Sequence, residues 1–137
     1  MNDRLLFAPG FRISIIDLVF IFLAVGAAVY IYPISQDTSF VILFTTFHFF
    51  MFCNVFRIER KPELIWSIFF CITTYGTLIY QFPPWKYNYL LSLMLAIFLI
   101  FIDTKKPSYH GIFWQKINPN LPAWWQSKIS KSNNSAN

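Results

Sequence analysis

The sequence predicts an all-α membrane protein, an antiparallel four-helix transmembrane bundle followed by an interfacial aromatic C-terminal segment. Three observations carry this expectation. Hydrophobic residues make up 56% of the 137 residues and charged residues only 12%, against roughly 25% charged in an average soluble domain. Seventeen Phe are more than a soluble core of this size hides. The apolar residues also fall into four runs, separated by short polar or Pro-containing turns. The net charge of +5 does not read as a nucleic-acid footprint, because the basic residues sit at the ends of apolar runs and do not line one surface.

Residues 1–107 form the expected bundle, with spans near residues 12–32, 39–57, 63–81 and 86–103. The first run, from Ile13 to Tyr32, carries Ser14 and Asp17 near its start. Helical residues rise 1.5 Å each, so a run of this length covers about 30 Å, the thickness of a bilayer core. Asp17 interrupts the apolar stretch and Val29–Tyr32 prolongs it, which argues against a cleaved signal peptide. Residues 33–39 make a polar turn. The second run ends at Arg57, where the sequence Arg57-Ile58-Glu59-Arg60-Lys61-Pro62-Glu63 concentrates charge. Pro62 suits the first turn of a following helix, and Glu63 complements that helix's dipole. The third run breaks at Gln81-Phe82-Pro83-Pro84, and the fourth closes at Asp103. Tyr80, Phe82, Trp85, Tyr87 and Tyr89 gather at the third turn as an aromatic belt does at a membrane interface.

Threading follows from charge. Ten of the eleven basic residues fall in the N-terminal segment, the second turn and the C-terminal segment, and only Lys86 falls elsewhere. The positive-inside rule then places both termini in the cytoplasm of a cell whose inner membrane the chain spans. Residues 108–126, with Tyr109, Phe113, Trp114, Trp124 and Trp125, are expected to lie along the headgroups. Pro119 and Pro122 forbid one continuous helix there. Residues 127–137, rich in Ser and Asn, read as a disordered polar tail.

Each run carries a polar or small stripe at helical spacing. The stripes are Asp17, Ile21, Ala24 and Ala28 in the first, and Thr46, Phe50, Cys53 and Arg57, with Asn54 beside them, in the second. The third has Glu63, Ser67, Thr74 and Gln81, and the fourth has Asn88, Ser92, Ala96, Leu99 and Asp103. Polar groups in hydrocarbon need partners, so the stripes are expected to turn inward. Asp17, Asn54, Arg57 and Glu63 then form a binding or structural polar cluster near the cytoplasmic face, with Arg57 paired to Asp17 or Glu63. His48 precedes Arg57 by nine residues, half a turn away on a regular helix. It is therefore expected to face outward, at an assembly or cofactor contact.

No catalytic set, phosphate loop or paired-His motif is present in the sequence, and no motif specifies a cofactor. With two His, set well apart, one chain supplies too few ligands for a metal. Cys53 and Cys71 lie inside apolar runs and read as buried small residues, not as a disulfide framework. Together these features predict a small non-catalytic subunit or oligomeric scaffold of a larger membrane assembly, with the lipid bilayer and other membrane subunits, or copies of itself, as partners. Two alternatives are an enzyme handling a lipid, quinone or isoprenoid at the cytoplasmic face, and a small oligomeric transporter or channel.

Overall fold

The computed structural model describes residues 7–134, of which 75% are helical with no strand. Six α-helices follow in order: α1 Ile15–Ile31, α2 Gln36–Phe50, α3 Arg60–Tyr80, α4 Trp85–Thr104, α5 Trp114–Ile117 and α6 Leu121–Asn134. A π-helical turn, Met51–Val55, prolongs α2. Three of the resulting helices are long and apolar enough to cross a bilayer: Gln36–Val55, α3 and α4, of 20, 21 and 20 residues. The chain is thus a membrane protein. Its outward face is apolar, as lipid contact requires, with Ile15, Ile16 and Phe22 each more than 70% exposed.

The helix ends have local causes. Helix α1 begins at Ile15, three residues later than expected, because Ser14 and Asp17 form a capping box. Asp17 N donates to Ser14 Oγ at 3.2 Å and Ser14 N donates to Asp17 Oδ2 at 2.7 Å. This leaves α1 at 17 residues, the shortest of the first four helical stretches, about 25 Å long. Helix α2 begins at Gln36, three residues earlier than expected, since Ser35 accepts from Thr38 N and caps it. Helix α3 likewise begins at Arg60, with Pro62 in its first turn. Pro119 separates α5 from α6, and Pro122 is accommodated in the first turn of α6. Residues 127–134 continue α6 as helix, contrary to the expected disorder, and residues 135–137 lie outside the described part.

Helix α1 packs along α2, and α3 along α4. Ser39 Oγ of α2 donates to Ala28 O of α1 at 2.8 Å, at the small end of the Asp17–Ala28 stripe. On α4 the stripe Asn88, Ser92, Ala96, Leu99 and Asp103 is the buried face, as its spacing predicts. On α3 the buried face is Pro62, Trp66, Phe70 and Thr77, one residue out of step with the predicted stripe. Large flat rings make more van der Waals contact than small hydroxyls do, so the aromatic line takes the core and Ser67 and Thr74 flank it. The core joins Phe52, Trp66, Phe70, Ala96, Leu99 and Ile100, with Phe44 packed against them. Polar bonds cross it as well. Trp66 Nε1 donates to Ser92 O at 2.9 Å, and Asn88 bonds Thr73 and Thr74 through its two amide atoms.

Candidate functional site

The predicted cluster centres on the π-helical turn. Each π turn inserts an extra residue into the helix, and such turns recur at functional sites. Here Phe56 N donates to Met51 O at 2.9 Å, five residues back, and Ile58 N reaches Phe52 O at 2.9 Å, six residues back. The widened turn re-aims Cys53 and Asn54 towards two different helices. Asn54 is buried, and its Nδ2 donates to Asp17 Oδ2 of α1 at 2.9 Å. Cys53 Sγ donates to Glu63 Oε1 of α3 at 3.6 Å. Three of the four predicted residues, Asp17, Asn54 and Glu63, are therefore gathered around one turn, which ties α1 and α3 to the end of α2.

Arg57 departs from the expected pairing. No described carboxylate approaches its guanidinium within ion-pair distance, and Nη1 instead donates to Ala8 O at 2.6 Å and Gly10 O at 3.5 Å. The backbone explains this. The helical hydrogen bonding has ended by Phe56, and Arg57 sits in the left-handed region with φ 49°. That conformation is uncommon outside glycine. It swings the side chain away from the helix wheel on which its position was predicted. Burial, and repulsion from Arg12, lower the Arg57 pKa.

His48 is likewise not where a regular helix would put it relative to Arg57. It is fully buried within the chain and does not face outward. Its ring stacks on Trp66 at 4.6 Å with an interplanar angle of 11°, and lies 4.1 Å from the Phe44 ring. Nδ1 meets Phe44 O at 2.9 Å, so it carries the proton and donates to the carbonyl, and Nε2 has no hydrogen-bond partner among the described residues. The half-turn argument fails because the π turn lies between the two positions and Arg57 itself is left-handed.

A helix end leaves carbonyls without partners. Here both terminal segments supply them: Arg12 N donates to Asn54 O at 3.2 Å, and Ile112 N donates to Val55 O at 2.9 Å. The two segments also bond each other, Gly10 N to His110 O at 2.7 Å. Gly111 sits so close to Phe56 O that a Cβ there would overlap it. The loop's other side is ionic. Lys106 Nζ lies 2.7 Å from Glu59 Oε2 and 2.6 Å from Asp103 Oδ1, and Glu59 N donates to Asp103 Oδ2 at 3.3 Å. The Lys106 hydrogen bond lowers the Glu59 pKa, and the bonds to Asp103 and Glu59 raise that of Lys106. Burial, and then the nearby Asp103 charge, push Tyr109 up to about 12.

Sequence reasoning missed several of these residues. The Ser14-x-x-Asp17 spacing is a capping-box signal that was legible. Trp66, Gly111 and His110 had no local signal, since their roles depend on long-range contacts. Among the described residues, no three His, Cys, Asp or Glu side chains gather as a metal site. The crossing consists of donor–acceptor pairs closed between segments, an arrangement that fixes helix positions. Compared with known proteins, the chain matches no family model, no curated protein and no solved structure.

Proposed function

We propose that the chain crosses a cell inner membrane four times as an antiparallel bundle, with both termini and the Arg57–Glu63 turn in the cytoplasm. The aromatic segment after α4 then lies along the cytoplasmic headgroups. In this reading the protein is a small non-catalytic subunit or oligomeric scaffold of a larger membrane assembly. The observation that carries it is the use made of the polar cluster. Asp17 is spent on Ser14 and Asn54, Glu63 on Cys53, and Arg57 on two backbone carbonyls. These groups hold segments of this chain together, while the long apolar faces of the helices are left outward for lipid or other subunits.

The test is the mass of the complex extracted from its native membrane in mild detergent, with its components identified. A defined assembly containing several copies or a second integral subunit is expected. A homogeneous monomer that turns over a bound lipid would overturn the reading in favour of the enzyme. Threading is tested by Asp37→Cys and Ser132→Cys with an impermeant thiol reagent applied from outside, on a background lacking Cys53 and Cys71. Labelling is expected at position 37 alone, and the reverse pattern sinks the topology.

A further inference from the structure

The terminal segments that close over the π turn enclose a small cavity. Phe7, Ala8, Pro9, Arg57, His110 and Trp125 line about 40 Å³ of space. One water needs about 10–15 Å³, so the space exceeds a single solvent molecule and suits a tetrahedral oxyanion. Its wall is built. Phe7 meets Trp114 and Trp125 edge-on, each at 5.8 Å. Arg57 is held by the Ala8 and Gly10 carbonyls through Nη1 alone, which leaves Nε and Nη2, with three N–H donors, unbonded to any described residue. His110 Nδ1 donates to Ser108 O at 2.9 Å, which fixes the ring as one wall of the space.

Charge and strain point the same way. No described carboxylate pairs with Arg57, although Asp17, Glu59 and Glu63 all lie on neighbouring segments and are engaged elsewhere. Arg57 holds a left-handed backbone, a strained conformation that persists in a non-glycine residue where the surroundings demand it. A guanidinium fixed on one edge and open on the other presents the fork that matches phosphate oxygens. The aromatic rings beside it are the residue types that seat at the headgroup level of a bilayer.

We propose that this cavity binds a phosphate group, and that in the membrane the group is the phosphodiester of an anionic phospholipid headgroup. Arg57 donates to the phosphate oxygens, the His110 ring closes the opposite wall, and Trp125 and Phe7 flank the glycerol end. The assignment rests on the chain's place in a bilayer and not on its role as a subunit.

The experiment is native mass spectrometry of the full chain released from micelles doped with dihexanoyl phosphatidylglycerol, with dihexanoyl glycerol or inorganic phosphate in parallel arms. Thermal unfolding of the same samples controls for folding. The wild-type chain should retain one phosphatidylglycerol, saturably, and no dihexanoyl glycerol. Arg57→Gly relieves the left-handed backbone and should stay folded while apparent affinity falls about tenfold or more, as loss of charge-assisted bonds implies. Arg57→Lys, which keeps the charge and loses the fork, should weaken binding to a smaller extent. Unchanged retention in a folded Arg57→Gly chain would overturn the site. Inorganic phosphate bound as tightly as the lipid would overturn the lipid assignment and leave a site for soluble phosphate.

Discussion

The middle and the end of the second helix solve the same problem in opposite ways. Both place polar side chains inside a membrane protein. In the middle, His48 is held by rings: Trp66 stacks on it, Phe44 and Phe52 close around it, and its Nε2 stays without a hydrogen-bond partner among the described residues. Tyr89 Oη and Ser92 Oγ on α4 share that condition. At the end, Asn54, Cys53 and Arg57 each bond a different segment. Packing is non-directional and tolerates a replacement of equal shape, whereas a part-buried bond that loses one partner leaves the other unsatisfied. The two regions should therefore respond differently to substitution.

The largest expected effect is at the end region, where backbone meets backbone. Gly111→Ala places a methyl group against Phe56 O and forces the Ile112–Val55 bond apart. Destabilisation of about 3 kcal/mol or more is expected in thermal unfolding of the detergent-solubilised chain. Wild-type stability would mean that the C-terminal segment does not clasp the π turn.

Next comes the Asp17–Asn54 bond. Asn54→Leu removes a donor from a carboxylate and should cost about 1–3 kcal/mol. A double-mutant cycle with Asp17→Ala isolates the pair, and a coupling of about 0.5 kcal/mol or more is expected. Additivity would detach α1 from the turn and break the contrast with the middle region.

His48→Phe should be close to neutral, within about 1 kcal/mol. It keeps the ring against Trp66, and of the two nitrogens it removes, Nε2 has no partner among the described residues and Nδ1 bonds only a carbonyl inside the helix, which the helical ladder also uses. A loss as large as that of Asn54→Leu would erase the distinction between the two regions.

The smallest effect is at the ion pair beside the loop. Glu59 is half-exposed, so Glu59→Gln should cost below about 1 kcal/mol. The pH dependence has a sign. The Glu59 pKa is lowered from 4.5 by Lys106 in the folded chain. Its contribution is thus present above pH 4.5 and is lost as pH falls through the lowered folded value. The stability gap between wild type and variant should close on acidification. A gap that persists at low pH would assign the effect to something other than the Glu59 charge.

What could be read in the sequence was what a regular helix preserves. The α4 stripe from Asn88 to Asp103 was legible because α4 keeps its period throughout, and the Asp17–Ala28 stripe for the same reason. The α3 face was missed by one residue, since periodicity does not rank Trp66 against Ser67. The His48–Arg57 relation was misread because wheel arithmetic assumes an unbroken helix, and no residue pattern announced the π turn. Asp17, Asn54 and Glu63 could be named from polarity and depth, but their partners could not. The Arg57 contacts link it to Ala8 and Gly10, and the turn's carbonyls go to Arg12 and Ile112. Contacts across such sequence distances have no local signature.

That closure has a consequence for biogenesis. Asn54 O takes its donor from Arg12, which is translated before it, but Val55 O waits for Ile112, which leaves the ribosome only after α1 to α4 have all been translated. The three helices long enough to cross can enter the membrane one by one, but the turn that locks them is completed last. Until then Val55 O must be satisfied by water. A nascent chain stalled before Ile112 should therefore be inserted yet unlocked, and open to membrane proteases at residues 56–59. Pulse-chase proteolysis of stalled chains of graded length would show protection appearing in one step as residue 112 emerges.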